Sequence, residues 1–387
     1  MVLLSVLLIL FNFTYGLKIT KTIFNPLSLT SLSLSFTLVA VVVCEYLDLL
    51  RFATSGDIES IYYAIFISQV GYLLPWVFKL NKNQNVNKEG SLSSVRLLFY
   101  GFLAVFGILI ASISMGGLPI FRMLKGGLNV NDYNESLKAL PFGLMAIILN
   151  AEIIYFLLLI QKVLDINHDK KGRIKLIPYI SGALFFSLWQ GKRQTLLMLG
   201  FLFVCYFFSY KVKKVKILNV ISLIIAIVVF VSVFQQTSFV RNNLSKSDEK
   251  TNSELLEYAM YAPMNFAAII GNYPAFGSTI VPSAILMEII PNRFLTESSK
   301  DFKNVLFEPT SPSGYFAYWY MDYGYFGVFF GAFFLSFVCR VYYQKQLRDY
   351  KKRSIYMLLL WCCATVGVYN HFISLNFFIL PFLFLHI

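Results

Sequence analysis

The chain has 387 residues, of which 57% are hydrophobic, 17% aromatic and only 14% charged, with a mean hydropathy of +0.66. Soluble domains carry about a quarter charged residues, so this composition excludes a soluble enzyme and points to an all-α, polytopic integral membrane protein. The net charge of +13 would suggest nucleic acid in a soluble protein, but here Lys and Arg fall in short loops between apolar runs, where the positive-inside rule accounts for them.

Apolar runs near 20 residues, the length of a bilayer crossing, must be helical because the hydrocarbon offers no partner to free backbone groups. They predict helices near 1–16, 27–47, 61–78, 97–116, 141–161, 176–189, 194–210, 217–235, 315–339, 355–369 and 372–386, about 11 spans within a single membrane domain, 1–387. No basic segment precedes the first run, and Lys18 and Lys21 follow it, which predicts a retained helix with its N-terminus outside rather than a cleaved signal peptide. Odd-numbered helices then run inward. The inside loops hold Lys18 and Lys21; Lys79, Lys82, Lys88 and Arg96; Lys162, Lys170, Lys171, Arg173 and Lys175; Lys211, Lys213, Lys214 and Lys216; and Arg340, Lys345, Arg348, Lys351, Lys352 and Arg353. These are 21 of the 33 basic residues, against four of the 20 acids, so one orientation satisfies every loop. The cysteines lie in apolar runs with no metal or disulfide spacing and read as small packing residues.

The same pattern isolates one long external segment, 236–314, inserted between the eighth and ninth helices. Loops of such length are functional or disordered, and this one is not disordered in composition. SELLEYAMYAPMNFAAIIGNY and VPSAILMEII read as short interfacial helices separated by Pro and Gly.

Lys192 and Arg193 are the only charges between Lys175 and Lys211, at the external turn of the hairpin ALFFSLWQGKRQTLLMLGF. They lie on the side where positive charge is disfavoured. A guanidinium fork beside an ammonium matches the oxygens of a phosphate, whereas the plainer alternative is a pair of snorkelling interfacial cations. Arg241 and Arg293 bracket the ordered part of the external segment, as further anion ligands or as solvated loop charges. In FEPTSPSGYFAYWYMDYGYFGVFFGAFF, a Pro/Ser/Gly entry leads into a helix crowded with Tyr315, Tyr318, Trp319, Tyr320, Tyr323 and Tyr325. An aromatic belt would explain the rings. Asp322, seven residues into the apolar run, needs a partner: a cation, a proton to accept as general base, or the end of a broken helix to cap. Glu152 sits about a turn inside the outer end of the fifth helix and reads as a structural partner for an arginine. His371, in the external turn YNHF, suits either a base near neutral pH or ordinary hydrogen bonding. No metal motif, P-loop or nucleophile elbow occurs in the sequence.

Taken together, SGALFFSLWQGKRQTLLML and PTSPSGYFAYWYMDYGYFGVFFGAFFLSF resemble the oligosaccharide repeat-unit polymerases (O-antigen polymerases, the Wzy type). In that family a small-residue/Gly-x-Arg pattern often precedes an apolar helix, and the segment after the long external loop often ends in Asp-Phe-Gly followed by Gly. Here it reads Asp322-Tyr323-Gly324 and then Gly327, so the aromatic differs while the spacing fits. Asn25-Pro26 before the second helix also fits. The resemblance implies a glycosyltransferase at the outer face of the bacterial inner membrane. It would transfer a growing glycan from undecaprenyl diphosphate to a second lipid-linked repeat unit, beside a flippase and a chain-length regulator. It further implies that Arg193, with Lys192, binds the diphosphate, with Arg241 and Arg293 from the external segment. Asp322 or His371 would orient or deprotonate the acceptor, and Tyr318, Trp319 and Tyr323 would stack on sugars. A glycosyl diphosphate is already activated, so neither ATP, a metal nor another cofactor is required. The competing readings are a transporter, such as a flippase for the same lipid-linked glycan, and an O-antigen ligase. A transporter predicts mid-depth charges and discontinuous helices in related halves, whereas this chain gathers its polar groups at one face.

Overall fold

The computed structural model describes residues 1–46, 55–78, 94–124, 140–141, 143–165, 176–189, 193–211, 262–263, 265–267, 269–270, 284–290, 316–367 and 371–386. Every regular element among the described residues is helical. Six helices are long and apolar enough to cross a bilayer: those over Val2–Thr20, Pro26–Val43, Ile58–Val77, Ser94–Ser114, Leu144–Val163 and Phe316–Arg348, with shorter apolar helices at Ile177–Leu188, Gln194–Ser209 and Leu375–His386. The chain is thus built as a multi-pass α-helical membrane protein. The predicted helix over 217–235 lies outside the described residues.

The helices pack as two compact units. The first comprises Met1–Asn87, Asn252–Lys352 and Leu359–Ile379. Its α1 (Val2–Thr20) ends where Lys21 turns left-handed, with its amide donating to the Leu17 carbonyl. Asn25 then starts α2 (Pro26–Tyr46). Its side-chain oxygen accepts the Ser28 amide at 2.9 Å, the reach of an N-cap to the third helical residue, with proline in the first position where no donor is needed. The turn is tight because Gly16 lets Asn25 and Leu27 approach; a Cβ there would lie 2.5 Å from the Asn25 oxygen.

Between helices that share no aqueous hydrophobic drive, small residues and polar pairs set the packing. Asn12 of α1 donates to the side-chain oxygen of Gln69 at 2.5 Å and to its carbonyl at 2.9 Å, linking α1 to α3 (Ser55–Val77). On α3, Gly71 meets the Phe329 carbonyl and Ala332 of α10 (Phe316–Arg348), so the two backbones pack closely. Farther along the same seam, the Trp76 indole donates to Ser336 at 2.9 Å and the Ser336 hydroxyl to the Tyr72 carbonyl at 2.5 Å. Arg340 closes the seam by donating to the Pro75 and Phe78 carbonyls, the last acceptors of α3, as cations commonly do at a helix C-terminus. Cys339 and Cys363 pack with their sulfurs 3.5 Å apart, and Cys205, Cys339, Cys362 and Cys363 are buried free thiols.

The second unit comprises Lys88–Thr251, Arg353–Leu358 and Leu380–Ile387. Here α4 (Ser94–Ser114) crosses α6 (Leu144–Asp165) where Gly101 admits the Tyr155 ring and Gly107 admits Ile148. Between them in sequence lies the short α5 (Pro119–Leu124). The core joins Leu97, Ala104, Ile108, Ile148, Phe156 and Trp189. The hairpin of α7 (Ile177–Leu188) and α8 (Arg193–Tyr206) is pinned to it by the Tyr155 hydroxyl, which donates to the Tyr179 carbonyl at 2.9 Å. Within the hairpin, Thr195 donates to the Ser187 carbonyl at 3.1 Å.

Candidate functional site

The break in α10 shapes the region around Asp322. Tyr323 has φ −140° and ψ 15°, and Gly324 has φ 59° and ψ −145°. That second conformation belongs to glycine alone among the common residues, so the sequence Asp322-Tyr323-Gly324 writes the break directly. The piece before it folds back on the piece after it. The Trp319 carbonyl rests where a Gly327 Cβ would be, and the Trp319 ring lies 2.5 Å from the Cβ position of Gly331.

Asp322 faces a second element from the break. Its carboxylate accepts the amides of Ala284 at 2.6 Å and Ile285 at 3.1 Å. These are the first amides of α9 (Ala284–Ile289), which have no acceptor inside their own helix. A carboxylate at a helix start also meets the positive end of its dipole. Asp322 thus caps a helix start, and that helix belongs to the segment 236–314 rather than to the broken α10 itself. The described residues near 262–270 in that segment are helical as well.

The aromatic cluster is ordered into a row. Phe266 packs against Phe316 at 5.6 Å and edge-on against Tyr320 at 5.6 Å. Tyr320 meets Tyr325 at 5.3 Å, and Tyr325 meets Tyr63 of α3 at 6.2 Å. Tyr318 is buried and Trp319 is turned onto the glycines, while Tyr323 is 53% exposed. Beside the row, Ile67, Tyr325, Phe326, Phe329 and Phe330 line an apolar groove of about 360 Å³.

The short helix α9 packs on both α10 and the turn His371–Ile373, so Asp322 and His371 flank one element. The imidazole is 5% exposed, stacked on Trp361 at 5.8 Å and against Phe377 at 4.8 Å. Burial pushes its pKa down to about 3, since the charged form loses hydration without an aqueous substitute. It is a neutral ring near pH 7.

Arg193 is the first residue of α8, in the second unit. Lys192, Arg241 and Arg293 lie outside the described residues, as does Tyr315. Next to the hairpin turn, the fully buried Trp189 donates its indole N–H to the fully buried Glu152 at 2.5 Å. The Trp189 carbonyl also accepts the Ile120 amide at 3.2 Å. The end of α7, three residues before Lys192, is thus held from two sides.

No family model matches the chain. No curated protein and no solved structure matches it either. Glu45, which the sequence does not single out, accepts the Tyr62 hydroxyl at 2.9 Å. Its only sequence signal is an acid closing the run VVVCEY, a pattern too common to be selective.

Proposed function

We propose that the chain is a membrane glycosyltransferase that polymerises undecaprenyl-diphosphate-linked repeat units. It would do so at the outer face of a bacterial inner membrane, in a topology of about 11 spans. The observation that carries this reading is the break at Asp322-Tyr323-Gly324. It gathers a carboxylate, a row of aromatic rings and a purely apolar groove at one end of a membrane-length helix. A lipid-linked sugar needs these same surfaces side by side: rings for the sugar faces, polar groups for hydroxyls, and an apolar groove for the isoprenoid chain.

In this reading Arg193 and Lys192 clamp the diphosphate and stabilise the charge that develops on it as it leaves. Arg241 and Arg293 add to the clamp from the external segment. Asp322 holds α9 of that segment and orients the acceptor. His371, neutral and stacked, supports the far side of α9. Tyr323 offers the exposed ring, with Tyr318 and Trp319 behind it. No nucleotide, metal or cofactor takes part. A flippase and a chain-length regulator would be neighbours rather than parts of the reaction.

The test is Arg193→Ala in cells that make the polymer. The variant should insert normally, and surface glycan should collapse from a ladder to single repeat units. A ladder of normal length would sink the diphosphate clamp. Purified protein given lipid-linked repeat units and no nucleotide separates the classes: polymer excludes a transporter, and transfer to a different acceptor marks a ligase.

A further inference from the structure

A glycosyl transfer of this kind needs a group that takes the proton from the attacking hydroxyl. The first unit holds four described candidates near one end of its helices. Asp322 already receives the amides of Ala284 and Ile285, so its carboxylate is engaged in holding α9. His371 is buried among rings. Glu59, exposed on α3, is fixed by no hydrogen bond among the described residues.

Glu45 differs from all three. It stands exposed near the end of α2, and one of its oxygens, Oε2, is held at 2.9 Å by the hydroxyl of Tyr62. Tyr62 is itself 5% exposed, and its carbonyl accepts the Ser5 hydroxyl of α1 at 3.3 Å. The anchor is therefore rigid, and the carboxylate is aimed rather than merely present, which a positioned base requires. Its other oxygen, Oε1, takes no hydrogen bond among the described residues. The neighbouring Tyr63 is 43% exposed and lies against Tyr325, whose hydroxyl reaches the Ser60 carbonyl at 3.5 Å. Glu45 thus stands at the level of the aromatic row.

We propose that Glu45 is the proton acceptor for the attacking sugar hydroxyl, an inference that rests on the glycosyl transfer proposed above. The acceptor oxygen forms a bond to the anomeric carbon as the bond from that carbon to the diphosphate oxygen breaks. The diphosphate leaves with the electron pair, and the hydroxyl proton passes to Oε1 of Glu45. The products are the lengthened lipid-linked glycan and free polyprenyl diphosphate, and the proton returns to solvent from an exposed side chain.

Purified full-length protein and a lipid-linked repeat unit provide the test. Glu45→Gln keeps the shape and the acceptor for Tyr62 but cannot take a proton. It should lower kcat at least about 100-fold with KM within about threefold. Glu45→Ala should lose activity likewise, and sodium formate should restore at least about tenfold of it, which a merely structural role would not allow. If the wild-type protein makes no polymer, the glycosyltransferase reading falls and takes this assignment with it. If the wild type is active and Glu45→Gln stays within threefold of it, only the Glu45 assignment is overturned. A folded Glu45→Ala that ignores formate overturns it too. Should Glu45→Ala fail to fold, the isosteric Gln variant decides alone.

Discussion

The contact between Asp322 and the start of α9 gives the sharpest quantitative expectation. The amides of Ala284 and Ile285 have no carbonyl of their own helix to bond, so their protection from hydrogen exchange comes from the Asp322 carboxylate. A hydrogen bond to a charged group is worth about 1.5–3 kcal/mol. Asp322 is only partly buried, so the lower end applies, and the two bonds together hold the helix start by about 3 kcal/mol. At 1.4 kcal/mol per factor of ten, Asp322→Ala should accelerate exchange at these two amides by about a hundredfold. Asp322→Asn keeps one acceptor oxygen and should accelerate it by roughly tenfold. The measurement is site-resolved exchange in detergent micelles, with the amide of the fully buried Ile65 in α3 as a control that should not move. Unchanged exchange at Ala284 and Ile285 in the Ala variant would refute the idea that Asp322 docks this helix. Faster exchange at Ile65 as well would show a global loss instead of a local one.

Two further outcomes follow from the same unit. Gly327→Ala drives a Cβ into the Trp319 carbonyl, a backbone atom that cannot turn aside, and should cost about 3 kcal/mol or more in detergent unfolding. Gly331→Ala instead meets the Trp319 ring, so Trp319→Ala should rescue it and should not rescue Gly327→Ala. For His371, the imidazole pKa is about 3 in the folded protein against 6.5 ordinarily. The unfolded chain therefore binds the extra proton between those values, and stability falls as pH drops from 6.5 toward 3. His371→Phe should flatten that part of the stability–pH curve, and a curve of unchanged slope would refute the buried neutral ring.

Much of the helical plan was legible because hydrocarbon thickness fixes run length. Ser94–Ser114 and Leu144–Asp165 are readable from hydropathy alone. The helix ends were less so. The first helix runs to Thr20, past its predicted end at residue 16, because the left-handed stop falls at Lys21. The helix predicted over 315–339 continues to Arg348, since backbone hydrogen bonding does not stop where apolarity does. The break inside it was half visible. Gly324 marks a permissive position, but only its neighbours in space force a positive φ there. Asp322 read as an acid in need of a partner, and that partner, a pair of amides 37 and 38 residues away in sequence, follows no local spacing rule. Nor did the sequence disclose the Glu152–Trp189 and Glu45–Tyr62 pairs, because each joins common residues from separate helices. The cationic residues are legible as charge pattern, and of them the structure describes the backbone start of α8 at Arg193.

The break in α10 also bears on how the protein sits in lipid. Thirty-three unbroken helical residues would extend about 50 Å at 1.5 Å each, far beyond the roughly 30 Å of hydrocarbon. From Gly324 to Arg340, where the guanidinium grips the last carbonyls of α3, the straight segment measures about 24 Å. That is slightly shorter than an average bilayer core. In a bilayer thicker than this segment the mismatch would fall on the break or on Arg340, so the acyl-chain length of the host lipid would bear mechanically on the Asp322 end of the helix.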